Sequence, residues 1–537
     1  MKKFLGITII LGIILRLIFI DKPDGLWNDE YISWMIASST DNFWHEVKAQ
    51  CHMPIYYMYL KLFMLVFGNS DLALRLSSVI TGIASIPIMY LIGKENNEKT
   101  GIICAGFTAI CPFLIYYSQE VRLYSLLFLL SCCSLLYTIK LIKSTNLLNI
   151  SLYTIFNFLI IATHTIGFVY IFFNLLFISI NLIKKYKKQI IILWIAITSG
   201  LILCSPLIIK IFTTQSFSQW WGHFSISKIA FLFTDYFSPV LTNLTNAPDN
   251  FLYMPKLAFF MIIPTVIAIY GIVAAIIKNK INQQLFCIFI GVIVILTIAS
   301  ICGRLVFITK YSIEILPILI YLACFGISNN KNTALKIILI CCYILITTGY
   351  TIFHPYSAPK MRRAEGHKLM TNMLSRTNIR PDDYVILLYY PKQRFEKYFD
   401  FSKYNVISIN KGNFPYYISK NVTYENAFKN GKLLYKNIFS NNNNPYFENI
   451  LSKDILNNLQ TGQSVVLVVL DSVSFYSPED LDKIVQDRTL YDKTPLLFLV
   501  FSYIRNETFE YIVKSLAVTQ IERKGNWTVV KFTKLNN

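Results

Sequence analysis

Charged residues are scarce in this chain: they fill 15% of its 537 positions, against about a quarter in an ordinary soluble domain. Acids are scarcer still, with 30 Asp and Glu against 50 Lys and Arg, a formal net charge of +20. The eleven cysteines include no C-x-x-C pair, which removes the usual zinc and dithiol signatures. None of them follows residue 342, so the remainder of the chain depends on no disulfide, even outside the cytoplasm. No glycine signature for nucleotides and no internal repeat occurs. The basic excess forms no continuous stripe with interleaved aromatics, which argues against nucleic acid as a partner.

What is abundant is apolar: 54% of residues are hydrophobic. They come as separate runs of about 17 to 22 residues, the length at which a helix crosses about 30 Å of hydrocarbon. The runs lie near 4–20, 72–93, 101–116, 123–139, 147–165, 166–183, 189–211, 256–277, 283–302, 305–325 and 335–353. The expected fold class is therefore a polytopic, all-α membrane protein with roughly eleven transmembrane helices. The first run follows Lys2 and Lys3 and precedes Asp21 and Lys22 with no small-x-small cleavage site, so it reads as a retained helix. The lysine clusters, above all Lys184, Lys185, Lys187 and Lys188, read as cytoplasmic loops. That places the N-terminus in the cytoplasm of a multi-pass plasma or inner membrane protein.

One segment decides the topology. Pro54 to Phe67 is apolar but short and carries Lys61; if it spanned, later loops would change sides and most lysine clusters would lie outside. An interfacial helix fits better, leaving 21–71 as a long extracytoplasmic loop and 213–255 as a second. The domain reading is thus 1–353 as the transmembrane domain and 354–537 as a small soluble α/β domain, extracytoplasmic by helix parity. In that tail Val385 to Tyr390, Val406 to Ile409 and Val465 to Leu470 read as buried strands. Pro478 to Gln486 opens a helix, Asn441 to Asn444 is a loop, and Thr519 to Phe532 is a hairpin turning at Lys524-Gly525-Asn526.

The polar outliers collect on the outer side. Asp29 and Glu30 are adjacent carboxylates in an aromatic setting, followed by His52-Met53-Pro54 with Tyr56 and Tyr57, and by Ala73-Leu74-Arg75. Alone each is weak: His52 suits an interfacial histidine, and Arg75 a snorkelling helix end. Tyr117-Ser118-Gln119-Glu120-Val121-Arg122-Leu123-Tyr124 sits at the junction of two spans. It reads either as a functional cluster or as a Glu120–Arg122 ion pair capping a helix. His164 ends another span on that face, and Lys310 opens a later one.

This ordered series resembles the GT-C glycosyltransferases, most closely the bacterial family 39 type. That group is similar to protein O-mannosyltransferases and to the aminoarabinose transferase that modifies lipid A. The resemblance is sharpest over residues 20–175, weaker to 325 and slight beyond. It implies transfer of a sugar from a polyprenyl-phosphate donor to an envelope glycan, lipid or protein acceptor, by an inverting displacement at the bilayer. It assigns Asp29 as catalytic base supported by Glu30, Glu120 as a site-shaping acid, and His52 as a phosphate contact. Tyr56, Arg75, Arg122, Tyr124, His164 and Lys310 complete the expected substrate-binding set. Where relatives carry Arg-Tyr, this chain has Lys310-Tyr311, a charge without the bidentate fork. Some relatives use a divalent cation, which the resemblance leaves possible here; no independent metal-ligand pattern accompanies Asp29 and Glu30, and no metal ligand is assigned. The competing readings are a flippase or assembly partner for lipid-linked sugars, and an oligosaccharide ligase.

Overall fold

The computed structural model describes residues 2–22, 24–213, 227–240, 255–302, 307–354, 366–389, 395–410, 428–429, 432–433, 459–470, 516–524 and 527–534. Most of the second outer loop, the helix expected at Pro478 to Gln486, the Asn441 to Asn444 loop and the Gly525-Asn526 turn lie outside these residues. The chain divides into two units, one of residues 1–21 and 32–361, the other of 22–31 and 362–537.

The first unit is helical. It comprises α1 (Lys2–Leu17), most of α2 (Asn28–Ser38), α3 (Phe43–Ala49), α4 (Ile55–Phe67), α5 (Asp71–Lys94), α6 (Glu98–Ile110), α7 (Pro112–Ser118) and α8 (Tyr124–Lys143). Then come α9 (Leu147–Ile161), α10 (Gly167–Thr213), α11 (Ser227–Phe237), α12 (Pro255–Lys278), α13 (Lys280–Ile301), a 3-10 segment (Thr309–Ile315), α14 (Leu316–Ser328) and α15 (Thr333–Phe353). Among the described residues seven helices are long and apolar enough to cross a membrane, or eight with α6 and α7 taken as one bent span.

Local chemistry explains the breaks. Pro112 forces the residue before it out of the helical region, and Cys111 is extended at ψ 115°. The chain restarts with Pro112 at the first helical position, where its missing N–H costs nothing, and the two pieces meet at 56°. The last carbonyls of α6 are therefore orphaned. Arg16 of α1, buried, takes them: Nη2 donates to Thr108 O at 3.0 Å and Nη1 to Ala109 O at 2.9 Å. Helix α10 is 47 residues long but leaves helical geometry at Tyr186 (φ −129°, ψ 44°), inside the lysine run. Unbroken, it would extend about 70 Å, twice the hydrocarbon thickness.

Helix α4 has 13 residues and presents Leu62, Leu65, Val66 and Phe67 outward. Its Lys61 is satisfied locally: Nζ donates to Ser39 O at 2.7 Å and sits 5.5 Å from the Phe43 ring centre. Ile55 N donates to Ala162 O at 3.0 Å, anchoring the start of α4 beside the end of α9. Deeper in the bundle, Ser134, Thr138, Asn157 and Asn174 join α8, α9 and α10 through side-chain hydrogen bonds, as buried amides in an apolar setting require.

The second unit begins with Lys22–Tyr31 and continues with α16 (His367–Arg376) and strands β1 (Tyr384–Tyr389), β2 (Asn405–Asn410), β3 (Phe428–Lys429), β4 (Lys432–Leu433), β5 (Ser464–Leu470), β6 (Leu516–Lys524) and β7 (Trp527–Lys534). Five strands form one sheet ordered β2-β1-β5-β7-β6. The first three are parallel and β6–β7 is an antiparallel hairpin added beside β5. Leu369, Met370, Met373 and Leu374 of α16 pack on Val385, Leu387, Val466, Val468, Trp527 and Val529. Helix, then parallel strands with near-continuous apolar runs, is the pattern of an α/β layer.

Candidate functional site

The acidic pair belongs to the second unit. Asp29 and Glu30 fall in the first turn of α2, where the helix dipole favours negative charge. Trp27 is the cap position, and Glu30, three residues on, accepts its N–H on Oε2 at 3.3 Å, half of a capping box. Glu30 is buried and Asp29 half-buried. Glu30 therefore fixes the start of the helix, while Asp29 keeps solvent access.

The first unit gathers most of the remaining candidates. Arg122 is buried and donates Nη1 to Ser33 Oγ at 3.4 Å; Ser33 lies one turn beyond Glu30 on the same helix. Glu120, also buried, accepts from Tyr116 Oη at 2.5 Å. Tyr56, fully buried, feels the Arg122 charge. Burial first, and neighbouring Tyr57 second, push its phenol well above the ordinary tyrosine range, against the pull of Arg122. It is held as a neutral hydroxyl. Tyr56 Oη and Ser78 Oγ are buried and neighbour each other, with no further hydrogen-bond partner among the described residues. His52 stacks on Tyr57 with ring centres 5.4 Å apart.

Lys310 Nζ lies 5.6 Å from the Tyr124 ring centre and 5.5 Å from that of Tyr311, both cation–π distances. His164 Nδ1 pairs with Glu314 Oε1 at 2.6 Å, and its ring is 5.7 Å from that of Tyr311. Arg75 is buried, with Nη1 3.5 Å from Ile20 O. It is held against backbone rather than extended along a lipid-facing surface.

Three polar residues escaped the sequence reading. Glu314 is the one acid in the apolar run 305–325, and that isolation was a usable signal. Asp235, buried in α11, accepts from Thr309 Oγ1 at 2.7 Å. Arg16 carried a signal too, a cation inside the first apolar run. Among the described residues no three His, Cys, Asp or Glu side chains converge as a metal site.

Residues 51–209 match the family model described as dolichyl-phosphate-mannose-protein mannosyltransferase. The crystal structure of ArnT from Cupriavidus metallidurans in the apo state is similar at TM-score 0.57 and 10% identity, covering 99% of this chain and 98% of that one. The same protein bound to undecaprenyl phosphate is similar at TM-score 0.52 and 11% identity, with the same coverage. The Archaeoglobus fulgidus oligosaccharyltransferase is more remote, at TM-score 0.44 and 12% identity over 76% of this chain and 62% of that one. No curated protein sequence matches the chain. The chain resembles the GT-C membrane glycosyltransferases, ArnT and the protein mannosyltransferases among them.

Proposed function

We propose that this chain, with its GT-C-like fold, is a membrane glycosyltransferase that moves a sugar from a polyprenyl phosphate to an envelope acceptor with inversion. One observation carries the reading: a buried arginine, Arg122, whose charge acts on the buried hydroxyl of Tyr56, inside the stretch that matches the mannosyltransferase family. A fixed cation with neutral hydroxyl donors suits a phosphate oxygen, and such donors act most strongly where water is excluded. That ArnT is known bound to undecaprenyl phosphate supports a lipid phosphate as the anion.

In this reading Asp29 removes the acceptor proton as the acceptor oxygen attacks the anomeric carbon. The carbon–oxygen bond to phosphate breaks, and the phosphate leaves with the electron pair. A phosphate departs as a stabilised anion, so one carboxylate suffices, unlike the two of glycoside hydrolysis. Arg122 and Tyr56 balance the leaving charge, with His52, Arg75 and Lys310 as further phosphate or sugar contacts and Tyr124 packing on Lys310. Glu120 and the His164–Glu314 pair shape the surrounding site.

The finer topology also belongs to this reading: eleven spans, with α10 counted twice, α6–α7 once, α4 lying in the interface, the N-terminus cytoplasmic and residues 354–537 outside. The test uses purified protein in nanodiscs, supplied with a panel of undecaprenyl-phosphate hexoses and pentoses bearing labelled sugar, alongside mass spectrometry of envelope glycans in cells with and without the protein. Transfer of single sugars, strongly reduced in Asp29→Asn, is expected. Transfer of preassembled oligosaccharide would instead support a ligase, and lipid-linked sugar crossing the bilayer without transfer would support a flippase.

A further inference from the structure

We infer that the C-terminal unit mounts the acid turn: Gly366, the amides of His367 and Leu369, and the Tyr398 hydroxyl hold Asp24–Tyr31 in the conformation that presents Asp29. The inference rests on reading Asp29 as the base. It gives the tail a positioning role in place of acceptor binding or simple cover.

Helix α16 starts at His367 behind Gly366, which has no side chain to cap it. Its first N–H groups need acceptors from elsewhere. The turn supplies them from the other end of the sequence: His367 N donates to Leu26 O at 3.0 Å and Leu369 N to Asp24 O at 3.3 Å. In return Leu26 N donates to Tyr398 Oη at 2.9 Å. The Tyr31 ring lies 5.0 Å from the His367 ring, and that ring rests against Phe395 and Trp527 of the domain core.

Both contact points demand glycine. A methyl at Gly366 would strike the Asp24 carbonyl, while one at Gly25 would lie 2.5 Å from Lys368 Cβ and 3.1 Å from Tyr398 Cζ. Gly25 also has φ +76°, which other residues adopt only with strain. From this anchored stretch the chain enters α2 with Glu30 closing on Trp27 N. The direction in which Asp29 leaves the helix is therefore fixed by contacts from Gly366, His367, Leu369 and Tyr398.

The experiment takes the full chain in nanodiscs and compares Tyr398→Phe and Gly366→Ala with the parent. Tyr398→Phe removes one hydrogen bond without changing shape. It is expected to speed amide exchange at Leu26 and its neighbours and to slow sugar transfer, each by about fivefold. Affinity for undecaprenyl phosphate should stay parental, a split that general loss of structure would not give. Gly366→Ala should do the same more strongly. Unchanged exchange in Tyr398→Phe, or faster exchange with parental transfer, overturns the proposal. Transfer is read with the labelled donors and by recovery of the envelope sugar in cells lacking the chromosomal copy. Asp29→Asn runs in parallel: if it keeps transfer, the base assignment fails, while the mount is still judged on Tyr398→Phe alone.

Discussion

Arg16 donates Nη1 to the Ala109 carbonyl at 2.9 Å across the break between α6 and α7. The same side chain reaches Ser118 Oγ with Nε at 3.2 Å, and Gln119 Nε2 returns to Arg16 O at 3.0 Å and Ile18 O at 2.7 Å. The turn that leads into Glu120 and Arg122 is thereby tied to the end of the first helix. Gly82 makes room, since a methyl there would collide with Ser118 and Arg16.

Arg16→Met removes the donors and leaves the Thr108 and Ala109 carbonyls unsatisfied in an apolar interior. Loss of about 3 kcal/mol or more in stability is expected, measured as a lowered unfolding temperature in detergent. Arg16→Lys should recover only part of it, because an ammonium cannot reach as many acceptors in fixed directions as the guanidinium fork. Equal stability of Arg16→Met and the parent would show that the break is held by something else.

The capping geometry separates the two first-loop acids. Asp29→Asn is expected to reduce sugar transfer by about 10²–10⁴-fold, the range of a lost general base. Glu30→Gln keeps an oxygen for Trp27 N, and glutamine serves at that position of a capping box, so transfer should stay within about tenfold of the parent. Steady-state transfer with the labelled donors checks both. The reverse ranking would move the base role to Glu30.

Hydrophobic run lengths made the helical part readable, because lipid imposes one length on every span. The acid pair, the Glu120–Arg122 turn and Lys310 were visible as ionisable groups where such groups are costly. Two kinds of feature stayed hidden. The partners of Arg16 and His164 are far away in sequence, and nothing local announces that a cation in α1 serves carbonyls beside Pro112. Nor does sequence position reveal that residues 22–31 are grouped with the tail, since backbone carbonyls capping α16 have no side-chain signature. The hairpin β6–β7 was legible from its alternation and turn residues, whereas joining β5 to β7 depends on tertiary pairing.

Tyr56 and Arg122 predict a distinct binding phenotype. Tyr56→Phe removes a buried hydroxyl, and Arg122→Lys removes a planar fork; undecaprenyl phosphate affinity should fall about fivefold in the first and more in the second. Because burial raises the Tyr56 pKa, the folded state favours the protonated phenol. Its contribution to stability is complete below the ordinary tyrosine pKa of about 10 and is lost as pH rises beyond it. The pH profile of transfer below pH 9 should therefore be the same in Tyr56→Phe and the parent. An alkaline limb that disappears in Tyr56→Phe would contradict this assignment.

His164 and Glu314 form a buried pair, with side chains 11% and 2% exposed. Removing one partner leaves the other's buried polar atom without its hydrogen bond, so Glu314→Ala and His164→Ala are each expected to cost about 1–3 kcal/mol of stability. The double variant should lose clearly less than the sum, with a coupling of about 1–3 kcal/mol. The pair also sits beside Tyr311, next in sequence to Lys310, so a milder change is informative. Glu314→Gln preserves size and one hydrogen bond to His164 but weakens the orientation of the ring. Transfer is expected to fall on the order of tenfold while the unfolding temperature changes little. If Glu314→Gln instead lowers stability and leaves the transfer rate of the folded fraction intact, the pair is a bundle fastener with no part in shaping the site.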